Sequence, residues 1–444
     1  MSHYRLINMA KKEFIDSLWK LSNVIFVSIF QLIIFYILTR FLEPEKYGLY
    51  VLLITNISFL QIFSELGIPT ASSKYLTEEV YKKASPRAIV KASILLSSVL
   101  GVVFTILCVL FSKQIAVLLK NDNLTILLRI GSVLLLINNF IRLYEELLKG
   151  INEFKFPTLI NFIIRPIQLI LIILFLALGF NLQGVIVAII ISLMFMAISY
   201  ILFFSKKYYY KLKNNKALKE SLRKIFFYSL PIALGSFAYY FYTKIDILLL
   251  SYFWNTKEIA VYNVADMIYQ VPLIIVGVLA TILSPIITRE YTLGNHKTIQ
   301  ELFTRIQSFI FFLMLPFSIG LFFFSGIFIM IFFPEYQNSI ILLKVLSPMI
   351  VLKGIGQIAT GGFLISTGNV NVLAFWTVVG AILNFVFDLL LIPRWGALGA
   401  IITTSVIHSS VIIIMIIYLL KKLNLRMVIS FVEAKSLIKR NIFE

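Results

Sequence analysis

Thr39-Arg40-Phe41-Leu42-Glu43-Pro44-Glu45-Lys46-Tyr47-Gly48-Leu49-Tyr50 lies over Ser251-Tyr252-Phe253-Trp254-Asn255-Thr256-Lys257-Glu258-Ile259-Ala260-Val261-Tyr262 when the halves of the chain are aligned. Further on, Phe180-Asn181-Leu182-Gln183-Gly184-Val185 lies over Trp395-Gly396-Ala397-Leu398-Gly399-Ala400. The offset stays near 212–218 residues throughout. Two apolar helices resemble one another easily, so either match alone is weak. Order, spacing and position between apolar runs agree, and together they divide the chain into two copies of one unit.

Around these matches run long apolar stretches. A membrane-spanning helix needs about 20 mostly apolar residues. Twelve windows qualify, near 18–40, 47–67, 89–111, 125–147, 157–179 and 184–204, then 225–251, 259–288, 306–332, 339–365, 370–392 and 397–420. The runs are continuous rather than alternating, which predicts helices and not strands. With 60% of 444 residues hydrophobic, 14% charged and a mean hydropathy of +0.94, a soluble fold would leave large apolar patches in water. The expected architecture is an all-α polytopic membrane protein, with about twelve transmembrane helices in two six-helix bundles around a central cavity. The expected divisions are an N-terminal bundle at 1–205, a basic cytoplasmic linker at 206–224, a C-terminal bundle at 225–420 and a basic amphipathic tail at 421–444.

Cytoplasmic loops carry the excess of Lys and Arg, and this orients the chain. Of 40 such residues, 27 fall on one side, 6 fall on the other (Arg40, Lys46, Lys113, Lys120, Lys257 and Arg394) and the remaining seven lie inside apolar runs. Both termini are therefore expected in the cytoplasm, and an even number of spans fits. The net charge of +19 reads as topology rather than as a nucleic-acid signal. The first apolar run is long and has no small-residue cleavage pattern behind it, so it is expected to stay as the first helix. The tail alternates basic residues with Leu, Ile, Val and Phe, a pattern for lying on anionic lipid.

One cysteine (Cys108) and three histidines (His3, His296 and His408) give neither a disulfide framework nor zinc spacing. No phosphate-binding loop, zinc-protease helix, catalytic triad or paired-carboxylate geometry is legible, so no catalysis and no cofactor are expected. Six plus six helices with both termini on one side means parallel repeats, an arrangement typical of transporters that rock about a site at the repeat interface. A channel or a scaffold is the competing reading.

Charges inside a bilayer cost several kcal/mol and normally face a wet interior or a partner. Lys91, Arg129 and Lys344 sit near helix ends, where snorkelling explains them. Arg142, Glu145, Glu146 and Lys149 have the spacing of a solvated ion-pair ladder. Arg165 and Lys353 lie at least two turns, or roughly 12 Å, from any boundary. Arg165 precedes Pro166, and Lys353 has Gly354, Gly356 and Gln357 beside it. Both suit phosphate oxygens, as a guanidinium fork and as a point charge; the alternative is structural pairing with an acid on another helix. Lys244 and Asp266 fit either a structural pair or a functional role. Asp246 or Asp266 is a candidate for H+ or Na+ coupling. Glu65 and Asp388 lie within a turn of helix ends and read as caps or interfacial anchors. His408 reads first as a hydrogen-bonded structural histidine.

Several motifs match a known family. Leu38 to Tyr50 resembles the "R-x-L-G-P-x-x-Y-G-x-Y" signature that follows the first helix of Wzx-type polysaccharide flippases, in the polysaccharide transporter branch of the multidrug/oligosaccharidyl-lipid/polysaccharide (MOP) exporter superfamily. This chain has Leu42-Glu43 where that family usually has Leu-Gly. Ser64-Glu65-Leu66-Gly67-Ile68 is similar to the end of its helix 2. Lys244-Ile245-Asp246-Ile247-Leu248-Leu249 is similar to its "K-x-D-x-x-L", and Gly361 to Asn369 resembles the Gly-rich end of its helix 10. The resemblance covers roughly the whole chain. It implies a flippase in a bacterial or archaeal plasma membrane, moving an undecaprenyl-diphosphate-linked oligosaccharide to the outer leaflet by alternating access. Arg165, Lys353, Arg142 and Lys244 would contact diphosphate or sugar, and membrane lipid, H+ or Na+ and polysaccharide-assembly proteins are the expected partners. The rivals are an ion-coupled multidrug exporter of the same superfamily, a non-transporting assembly scaffold, and a membrane polymerase or glycosyltransferase. The last would need a sizeable loop, and the longest here is about 20 Lys-rich residues.

Overall fold

The structure, a computed structural model, describes residues 3–82, 86–209 and 218–439, with side chains described within 15–82, 86–209 and 218–435. Residues 210–217 of the expected linker and 440–444 of the expected tail lie outside the described residues. Among the described residues there is no strand. The helices are α1 (His3–Phe41), α2 (Pro44–Glu65), α3 (Ile68–Tyr81), α4 (Pro86–Leu118), α5 (Leu124–Gly131), α6 (Val133–Gly150), α7 (Lys155–Ala177) and α8 (Asn181–Lys207). They continue with α9 (Leu218–Phe253), α10 (Thr256–Thr292), α11 (His296–Phe332), α12 (Ser339–Leu346), α13 (Met349–Gln357), α14 (Val370–Lys422) and α15 (Phe431–Lys439). A wider π turn, Ile358–Leu364, follows α13.

Ten described helical segments are long and apolar enough to cross a membrane, and α12 with α13 and the π turn, bent by 53°, makes an eleventh. α14 runs for 53 residues, about 80 Å at 1.5 Å per residue, against a hydrocarbon core of about 30 Å. Gly396, at φ 54° and ψ −132°, breaks it into two spans. The twelve expected runs are thereby all helical.

The chain forms two compact units, Met1–Tyr240 and Phe241–Glu444. Their corners repeat. α1 ends at Phe41 and α2 starts at Pro44; α9 ends at Phe253 and α10 starts at Thr256, each 212 residues on. Pro44 fits the first helical turn because its missing N–H would have no partner there. In the second copy Asn255 caps α10, accepting from the Glu258 N–H at 3.0 Å. The α5–α6 and α12–α13 breaks fall at Ser132 and Ser347. Each serine hydroxyl turns back onto the carbonyl of a basic residue three positions earlier, Arg129 (2.8 Å) and Lys344 (2.9 Å). The last helix of each copy opens on a left-handed residue, Asn181 (φ 50°) or Gly396 (φ 54°). Three residues later, a Cβ on Gly184 would come within 2.5 Å of the Phe180 Cβ, and one on Gly399 within 2.5 Å of the Leu391 carbonyl oxygen. Glycine at both places lets the final corner close.

One element departs from the apolar windows. α2 stops at Leu66 (φ 46°) and Gly67 (φ 71°), and the chain resumes as the 14-residue α3. Its mixed composition hides it, but Ile68, Ala71 and Leu76 are fully buried. The Thr77 hydroxyl donates to the Gly150 carbonyl at 2.8 Å, joining α3 to the end of α6.

Candidate functional site

In the first unit the charged centre gathers on α6, α7 and α8. Pro166 interrupts α7 next to Arg165. Arg165 Nη1 donates to Gln168 Oε1 at 2.9 Å, one turn along. Its Nε is buried and has no hydrogen-bond acceptor. Glu145, Tyr200 and Tyr50 are the groups in electrostatic reach of the guanidinium. The fully buried Tyr200 donates its hydroxyl to Glu145 Oε1 at 2.9 Å.

The expected α6 ladder is therefore only partly formed. Lys149 pairs with Glu146 at 3.0 Å. Glu145 follows the Ile141–Leu148 stripe, both of whose side chains are buried, and accepts from Tyr200, with Arg142 and Arg165 both in electrostatic reach. Arg142 is largely exposed, with its Nε 3.6 Å from Glu65 Oε1. Gln61 donates to the same Glu65 oxygen at 3.0 Å.

The second unit holds two groupings. Lys244 Nζ lies 3.9 Å from Asp266 Oδ2, within ion-pair distance. Gln270 donates to that oxygen at 2.7 Å. Lys353 Nζ sits over the Tyr269 ring, 5.1 Å from its centroid, with Asp266 and Lys244 as its charged neighbours. Two cations thus share one carboxylate.

Around Asp246 the arrangement is acidic. Asp246 is 2% exposed and accepts hydrogen bonds from the Tyr262 hydroxyl, from Asn384 Nδ2 at 2.9 Å and from the Thr404 hydroxyl at 2.8 Å. The same Asn384 amide donates to Asp388 Oδ2 at 2.7 Å. Asp388 is fully buried, and its Oδ1 has no hydrogen-bond partner. This corrects the expectation of a cap or anchor: the helix break falls at Gly396, leaving Asp388 two turns inside α14. His408 meets its structural expectation, with Nε2 3.0 Å from the Tyr242 carbonyl oxygen and its ring 4.0 Å from the Tyr242 ring.

Sequence reasoning missed Glu145, Tyr200, Asn384, Asp388 and Thr404 as members of these centres. Two signals were present. Asn384 and Asp388 have one-turn spacing in an otherwise apolar run. Tyr50 and Tyr262 are aligned by the repeat, and each attends the charged group of its own unit. Chemically, the first unit offers a partly unpartnered guanidinium. The second offers an all-oxygen set that suits a proton or a hard monovalent cation rather than a soft metal. Among the described residues no group of three or more His, Cys, Asp or Glu could hold a metal ion.

The fold is that of a polytopic, all-helical membrane protein with buried charges in each of its two units. A family model described as polysaccharide biosynthesis protein matches residues 16–291, and the chain belongs to that family. A second model, MatE, matches 231–390. An uncharacterized membrane protein of Methanocaldococcus jannaschii is 22% identical over 384 residues, 80% of this chain and 74% of that protein. Among solved structures, the inward-facing conformation of a multidrug resistance MATE family transporter superposes with a TM-score of 0.74 at 16% identity, covering 92% of this chain and 94% of that one. The lipid II flippase MurJ, in an inward closed conformation, gives 0.68 at 17% identity over 94% and 87%. A MOP superfamily transporter from Pyrococcus furiosus, described as having a binding pocket of reverse polarity, gives 0.65 at 16% identity over 92% and 94%. At these identities the likeness is one of fold.

Proposed function

We propose that the protein flips an undecaprenyl-diphosphate-linked oligosaccharide from the cytoplasmic to the outer leaflet of a bacterial or archaeal plasma membrane, for assembly of surface polysaccharide. Both termini lie in the cytoplasm in this reading, and the mechanism is alternating access. The observation that carries it is Arg165, a guanidinium deep in a span whose Nε has no acceptor. Such a group has free donor capacity for a phosphate oxygen, and charge-assisted bonds of this kind are short and strong. Lys353 adds a point charge, with Lys244 and Arg142 as lesser contacts. The polysaccharide biosynthesis family assignment and the lipid-linked substrate named for the MurJ neighbour support this substrate class.

In this proposal Asp246 and Asp388 take up H+ or Na+, since two carboxylates sharing one buried amide favour a proton or cation between them. Asp266, already paired with Lys244, is the lesser coupling site. A second reading, an ion-coupled multidrug exporter, draws support from the MatE match over 231–390. The test is translocation of a fluorescent undecaprenyl-diphosphate oligosaccharide in proteoliposomes, run beside ethidium efflux. Lipid translocation that fails in Arg165→Ala and Lys353→Ala supports the flippase. Ethidium efflux without lipid translocation overturns it in favour of the exporter.

A further inference from the structure

α11 is 37 residues long, about 55 Å at 1.5 Å per residue, and so outruns a hydrocarbon core of about 30 Å. The segment after α14 folds back along this excess length. Gln300 on α11 closes a two-sided clamp: its Oε1 accepts from the Arg426 backbone N–H at 2.7 Å, and its Nε2 donates to the Arg426 carbonyl at 2.9 Å. Ser308 repeats the device, its hydroxyl donating to the Val428 carbonyl at 3.2 Å and accepting from the Ser430 N–H at 3.0 Å. Arg305 pairs with Glu433 at 3.3 Å, Phe431 packs edge-on to Phe312, and Leu425 and Ala434 are buried. Residues 424–435 are thus a strap fixed in place, one face inward.

The other face is apolar. Met427, Val428, Ile429, Phe431 and Val432 are 38%, 49%, 40%, 65% and 74% exposed, five large apolar side chains within six residues. A stretch of that size stays in water only at a cost. Lys421, Lys422, Arg426 and Lys435 flank it and are exposed. Apolar side chains rimmed by cations, at the end of a helix that leaves the membrane, are complementary to an anionic lipid surface: acyl boundary for the first, phosphate for the second.

We propose that residues 424–435 form a strap that binds the headgroup region of anionic lipid while α11 holds it through Gln300, Ser308 and Arg305. Each cation near such a surface contributes about as much as the next, so the four together, not any single one, set the preference for anionic lipid.

The test uses the full chain with Val432→Cys carrying a polarity-sensitive fluorophore; the native Cys108 is buried and stays unlabelled. In vesicles containing phosphatidylglycerol, headgroup-depth spin labels on lipid should quench the probe about twofold or more beyond the level in phosphatidylcholine alone. Replacing Lys421, Lys422, Arg426 and Lys435 together by Gln should erase that difference while the protein remains monodisperse. Equal quenching in both vesicles, quenching only by aqueous iodide, or a lipid preference that survives the fourfold replacement would each overturn the proposal. None of these readouts involves a transported substrate, so the strap and the flippase reading fail separately.

Discussion

Asp246 and Asp388 are held by the two N–H groups of one amide: Asn384 Nδ2 lies 2.9 Å from Oδ1 of the first and 2.7 Å from Oδ2 of the second. One donor group between two buried carboxyl groups leaves the site acceptor-rich, and a proton or cation relieves that excess. Asp388→Asn should therefore fold at least as well as wild type, because it replaces a carboxyl that needs a proton or cation by an amide that carries its own donor. Any Na+- or H+-dependence of transport should vanish with it. At a cation concentration ten times its Kd, wild type should gain about 1.4 kcal/mol of stability and the variant nothing, measured by thermal unfolding with and without the ion.

Arg165 and Glu145 should behave as a coupled pair. Glu145→Gln leaves the half-buried guanidinium with less compensation and should destabilise by about 1 kcal/mol, whereas the double replacement Glu145→Gln/Arg165→Gln should recover part of that loss. A double-mutant cycle read by thermal unfolding should give a coupling of about 0.5–3 kcal/mol. Additive effects would mean that the two groups act independently.

Gly184 and Gly399 occupy the same corner of the two copies. An added Cβ would meet Phe180 in one and the Leu391 carbonyl in the other, both at 2.5 Å. Gly399→Ala should cost about 1–3 kcal/mol, the range for overpacking a tight contact. Gly184→Ala should cost about as much, because the Phe180 Cβ is fixed to its own backbone and yields no more readily than a carbonyl. The measurement is the loss of melting temperature in each variant.

Glu153, in the α6–α7 loop, gives a pH signature. Burial works against its charge, but hydrogen bonds from Lys207 and Tyr208 prevail and hold its carboxyl below the ordinary carboxylate value. A depressed value means the stabilisation is fully present above the unfolded-state pKa and is lost as pH falls through the folded-state one. Wild type should thus lose more melting temperature on acidification than Glu153→Gln.

The twelve spans were readable because a bilayer imposes length and apolarity on each helix independently, one run at a time. The repeat was readable because its corners depend on local chemistry: Pro44, Asn255, Gly184 and Gly399 act within a few residues of themselves. α3 was not readable, since 14 residues of mixed character acquire their meaning only against α4 and α6. The place of Arg165 well inside α7 followed from counting turns, but the break between α12 and α13, about one turn before Lys353, did not. The partners of Arg165 did not, because Glu145 sits one position from Glu146 and only packing tells which way each turns. Asp388 was misplaced for a simpler reason: a window edge at 392 stood in for a helix end that lies at Gly396.

Duplication has left each half as a control for the other. Frame and bend persist in both: Arg129 with Ser132 answers Lys344 with Ser347, and Asn181 answers Gly396. The charged chemistry does not persist. At the same offsets Arg165 faces Gly380, Lys353 faces Asn138, Asp388 faces Ile173 and Asp246 faces Ile34. A chain assembled from two first halves should insert and fold yet own no Asp246–Asp388 pair, and one assembled from two second halves would have no Arg165. The halves are siblings in architecture that have become specialists, and neither can deputise for the other.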